Sequence, residues 1–152
     1  MDQGRALVER RPFPENLDNH FAVDPAKWDF YSMDCYRILG SSDAASTENK
    51  LAASYAAEVL RIGTDTTGAE RSPMRNTEAR ITLGVIAARE GDLDRALTRG
   101  RQALAAERVS LPSLLMVSAE LGTLIHGRYP GDHDAADYLD QLRQLSTRPE
   151  AT

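Results

Sequence analysis

Apolar residues recur at helical spacing along most of the chain, and no stretch alternates as a half-buried strand would. Asp24 can cap a helix and Pro25 suits the first helical position, so a helix is predicted from there to about Leu39, stopped by Gly40. Trp28, Tyr31, Cys35, Ile38 and Leu39 share one face, which predicts a buried side with an inert Cys35; Phe30 and Met33 lie on the other side. A helix with two apolar sides packs on two sides. Further helices are predicted over 48–62, 73–90, 93–107, 111–128 and 135–145. The 73–90 helix is again apolar on two sides, with Met74, Ile81, Val85 and Ala88 on one and Ala79, Leu83, Ile86 and Ala87 on the other. Ser110 can cap the 111–128 helix, with Pro112 in its first turn. The 135–145 helix has a single apolar stripe, Ala135, Tyr138, Leu139, Leu142 and Leu145, as a terminal cap of a helical array needs. Residues 3–11 predict a short helix ended by Pro12 and Pro14, which reads as the last turns of a longer one. The organisation predicted is a remnant over 1–14, a helical domain over 15–146 and a frayed tail over 147–152.

Composition narrows the class. The 152 residues suit one domain, and 41% hydrophobic with 27% charged content describes a globular chain and not a disordered one. Aromatics make up only 6%, so Ala and Leu must fill most of the core, which favours closely packed helices. The net charge of −5 and the scatter of the arginines argue against a DNA-gripping basic face. One cysteine excludes an intrachain disulfide and fits a reducing cytoplasm; no stretch approaches the roughly 20 apolar residues of a membrane span.

Residues 77–112 raise the question of a repeat. Leu83-Gly84, Gly91, Ala96 and Ala103-Leu104 are small or apolar where two antiparallel helices must approach and turn. The segment is similar to a tetratricopeptide repeat, with Arg80 and Ala87 replacing its tryptophan and tyrosine and Pro112 arriving late. Segment 25–62 is a weaker copy with Trp28 in the tryptophan place, and 113–145 forms a third pair. The fold class predicted is all-α, a tetratricopeptide-like right-handed array of about six helices plus the N-terminal remnant.

The segments DNHFAVDPAKWDFYSMDCYRILG, ERSPMR, EARITLGVIAAREGDLDRA and SLPSLLMVSAEL, in this order, resemble the C-terminal part of actinobacterial XRE-type helix-turn-helix transcriptional regulators, over about residues 15–145. No helix-turn-helix segment is read here, so the resemblance implies a sensory or protein-interaction region and no DNA contact by these residues. The alternative is a stand-alone scaffold or dimerisation module.

Asp18, His20, Asp24 and Cys35 carry metal-ligand chemistry, but Asp24 serves as a cap and no paired Cys or His spacing accompanies them; no metal or cofactor is expected. GDHDAAD lacks calcium-loop spacing, GTDTTGAE lacks the ending of a phosphate loop, and no set of catalytic roles can be filled, so the chain reads as a non-enzyme. What remains is a groove lined by the first helix of each pair. The repeat register places Asp29, Met33, Tyr36 and Arg37 on it from one helix and Glu78, Ile81, Val85 and Arg89 from the next, a mixture suited to a peptide or a partner helix. Met33 and Ile81 could equally pack against neighbouring helices. The expected partner is a protein or peptide, with neither nucleic acid nor membrane; a homodimer stays open.

Overall fold

The computed structural model describes residues 25–40 and 46–148. Six helices form there: α1 (Pro25–Leu39), α2 (Thr47–Ile62), α3 (Pro73–Arg89), α4 (Leu93–Leu104), α5 (Leu111–Arg128) and α6 (His133–Ser146). No strand occurs among the described residues; Thr64 and Glu70 make one isolated antiparallel bridge. The predicted 3–11 helix, the Asp24 cap, Asp18 and His20 lie outside the described residues, as does most of the predicted tail.

Local chemistry sets the boundaries. Ser46, Asp92, Ser110 and Asp132 each accept a hydrogen bond from a backbone N–H of the helix they precede, satisfying an orphan donor of the first turn. Asp132 starts α6 at His133, two residues earlier than the apolar stripe indicates. In the other direction α4 stops at Leu104, short of the predicted Glu107. Gly91, at φ +82°, supplies the left-handed conformation that the α3–α4 turn requires.

Consecutive helices pack on one another, and α3 also touches α1 and α5. Two apolar clusters result. Met33, Tyr55, Ala56, Val59 and Ala79 join α1, α2 and α3. Ile81, Val85, Ala88, Ala96, Leu97, Leu121, Ile125 and Tyr138 belong to the larger cluster, which joins α3 to α6. Alanines fill much of both clusters, as the scarcity of aromatics predicts.

Of the two sides of α1 expected to pack, only the Met33 side is buried. Tyr31 is 58% exposed, Ile38 72% and Leu39 68%, and Cys35 is an exposed free thiol. Trp28 is only partly buried, and its indole N–H meets no acceptor among the described residues. Met33, Ser32 and Asp29 are the buried residues of this helix instead. The physical reason is partner geometry. Among the described elements only α2 and α3 lie against helix α1, and these meet the Met33 side, where Tyr36 stacks on Tyr55 with ring centroids 5.8 Å apart. Phe30, on the same side, lies under the Arg75 guanidinium at 5.8 Å.

Met33 and Ile38 separate the two orientations of α1. Truncating the fully buried Met33 to Ala costs about 2–5 kcal/mol, whereas Ile38→Ala stays within about 0.5 kcal/mol of the parent. Denaturant unfolding of the two variants checks this; the opposite order would restore the Tyr31–Ile38 side as the packed one.

Candidate functional site

Helices α1 and α5 flank α3, and their facing residues build a charged cluster over it. Arg37 of α1 donates to Asp34, one turn earlier, at 3.2 Å and reaches Glu120 of α5 at 3.4 Å. Arg89, at the end of α3, approaches the same Glu120 at 3.7 Å. Its Nη1 also donates to the Asn49 side chain of α2 at 2.9 Å and to the Arg37 carbonyl at 3.0 Å. That carbonyl belongs to the last turn of α1, where no intrahelical N–H remains to satisfy it. One guanidinium thus ties together α1, α2 and α5. Gly40 permits the approach: a Cβ there would sit 2.2 Å from Asn49 Oδ1 and 2.9 Å from Arg89 Nη1.

Glu78 lies on the same side of α3, half-buried. It makes no hydrogen bond or ion pair with any described residue. Burial pushes its carboxyl pKa above the ordinary value of 4.5, and the nearby Asp34 carboxylate pushes it further, against a smaller opposing pull from Arg37. Asp34 is also raised, first by burial and also by Glu120, with Arg37 opposing. Arg89 is lowered by burial, while Glu120 favours its charge and Arg37 disfavours it. The cluster therefore holds three carboxylates and two guanidiniums, packed closely enough for each to feel the others.

The eight residues expected on a groove separate into groups. Arg37, Glu78 and Arg89 come together in this cluster. Met33, Ile81 and Val85 are fully buried and present no surface to a partner; they hold the helices together. The expectation for them is corrected: side chains from α2 to α6 fill the space they point into. Tyr36 is committed to its stack on Tyr55, and Asp29 is buried. Asp34 and Glu120 complete the cluster and were not singled out from the sequence. Asp34 was signalled by its position three residues before Arg37. Glu120 carried no such signal, since only the approach of α5 brings it near.

Among the described residues no three His, Cys, Asp or Glu side chains gather to hold a metal ion, and no helix is long and apolar enough to cross a membrane. Comparison with protein-family models, curated proteins and solved structures returns no match.

The raised Glu78 carboxyl fixes a sign. A folded-state pKa above the unfolded one stabilises the protein below about pH 4.5, and that contribution is lost as pH rises through the elevated folded value. At neutral pH the charged Glu78 thus weighs against folding. Glu78→Gln is expected to raise the Tm at pH 7 and to leave it nearly unchanged at pH 4, measured by thermal melts at the two pH values.

Proposed function

We propose that this chain is the sensory or protein-interaction domain of a transcriptional regulator, holding a peptide or protein partner on the α1–α3–α5 face without contacting DNA itself. The observation that carries this reading is Glu78. A half-buried carboxylate with no partner of its own among the described residues, crowded by Asp34, is a group whose cost is offset when a partner brings a cation or an N–H donor to it. Arg37, Arg89 and Glu120 stand beside it to fix the partner's polar groups.

The finer architecture is read as a tetratricopeptide-like right-handed array, α1/α2, α3/α4 and α5/α6 being its pairs. The packing of α1, α3 and α5 in a row supports this. So does Gly84, where a Cβ would lie 3.0 Å from Leu121 and 3.3 Å from the Ala96 carbonyl, at the meeting of three helices. The resemblance of the sequence to actinobacterial XRE-type regulators supports reading it as a cytoplasmic regulatory module, taken here without cofactor or catalytic activity.

The test uses the whole chain as bait in extracts of its native host. A partner retained by the parent and lost by Glu78→Gln, which keeps the fold, is the expected outcome; equal retention by both would overturn the role of Glu78. Duplex DNA at physiological salt is expected to give no salt-sensitive mobility shift, given the net charge of −5.

A second reading, a stand-alone scaffold or dimerisation module, is favoured by the exposed apolar side of α1, Tyr31, Ile38 and Leu39. A dimer by light scattering that Ile38→Arg converts to a monomer would support it, and a monomeric parent would exclude it.

A further inference from the structure

A cavity of about 640 Å³ opens between the end of α2, the 63–72 loop, α3 and the end of α4. Its size falls within the roughly 300–1,000 Å³ of small-ligand sites. The charged side chains around it are Arg80, Arg99 and Arg108 against Glu70 and Glu107, a positive excess in a chain whose net charge is −5.

The wall is built and not left to chance. Asp65 accepts from the Thr67 N–H at 2.8 Å, the Thr67 hydroxyl at 2.6 Å and the Ala69 N–H at 2.9 Å. The backbone closes the loop through Asp65 N–H to the Ala69 carbonyl at 2.9 Å and Arg71 N–H to the Gly63 carbonyl at 2.7 Å. This presents Glu70 to Arg80 at 2.5 Å and to the Asn76 amide at 3.3 Å. The Glu70 charge is therefore spent on Arg80. Arg99 is left with Gln102 at 3.2 Å and no carboxylate among the described residues, and Arg108 reaches only the Glu70 carbonyl at 3.5 Å. Partial burial lowers the Arg99 pKa, and the neighbouring charges of Arg95 and Arg80 lower it further. A guanidinium so placed gains most from an added oxyanion, which it can meet with two parallel N–H donors.

We infer that this cavity binds a small molecule through a carboxylate or phosphate head, seated on Arg99 and Arg108 with Gln102 beside it, its remainder lying against Leu60, Ala105 and Ala106. The site is separate from the α1–α3–α5 face and stands or falls independently of the partner reading. It would give the module a small-molecule input alongside its partner surface.

Two-dimensional amide NMR of the full chain, titrated separately with inorganic phosphate and with acetate at constant ionic strength, tests this. Saturable shifts confined to the 63–72 loop and the C-terminal half of α4 are expected with at least one probe, and the better probe identifies the head group. Arg99→Gln should weaken that binding about tenfold or more, Arg108→Gln should also weaken it, and Arg128→Gln, remote and exposed, should leave it unchanged. Non-saturating shifts with both probes, or equal binding by the parent and Arg99→Gln, would overturn the assignment. Arg108 is exposed and makes only the one weak backbone contact, so its variant keeps the test decisive if Arg99→Gln does not fold.

Discussion

Helix α3 must be covered on nearly every side, and the arrangement of the other helices follows from that need. Ten of its seventeen residues are buried, including Asn76, Thr77 and Thr82. A helix of this kind cannot sit on a surface. Helices α1, α2, α4 and α5 all touch it, and α6 is held through α4 and α5. Two of these polar side chains bond to backbone, while the Thr82 hydroxyl and the Asn76 carbonyl oxygen find no partner among the described residues. The Thr77 hydroxyl donates to the Pro73 carbonyl at 2.8 Å, and the Asn76 amide donates to the Gly63 carbonyl at 3.0 Å. At its C-terminal end the Ala88 carbonyl accepts from the hydroxyl of Tyr129, the residue that caps α5, at 2.8 Å. Arg89, one residue on, clamps α1, α2 and α5, so the end of the central helix organises its neighbours through polar contacts.

The sequence carried this centre clearly. Two apolar sides on 73–90 predict two-sided packing, and most residues of both sides are buried. It misled on α1, where the same reasoning found two apolar sides but only one has neighbours among the described residues. Periodicity shows which residues share a face and is silent on which face a partner helix covers. Pro25 and Gly40 gave the extent of α1, because start and stop signals are local. The stop of α4 was less legible: Ala103 to Ala106 are all compatible with helix, and the chain leaves it after Leu104.

The charged cluster shows the same division. Arg37, Glu78 and Arg89 were identified because the expected repeat register places them on one groove from α1 and α3. Glu120, which pairs with the two arginines, lies on α5, far away in sequence, and electrostatic pairing across such a distance has no local signature. The apolar members of the expected groove failed for a related reason. Whether Ile81 or Val85 lines a surface or a core depends on how closely α5 approaches, and the approach is close enough to bury both.

Gly100 and Tyr138 show how tightly the last three helices are fitted. A Cβ at Gly100 would lie 2.7 to 2.8 Å from atoms of the Tyr138 ring and hydroxyl, so the phenol lies directly on the α4 backbone. The ring is fully buried, its hydroxyl has no hydrogen-bond partner among the described residues, and burial pushes its pKa up to about 12. Position 100 has no room to spare, and position 138 has no hydrogen bond that requires an oxygen. Substitutions at the two sites are therefore coupled in volume and free in polarity. A side chain gained at 100 demands one lost at 138, while the oxygen of Tyr138 can come and go alone. A larger residue at position 100 therefore needs a smaller one at 138 to arrive with it.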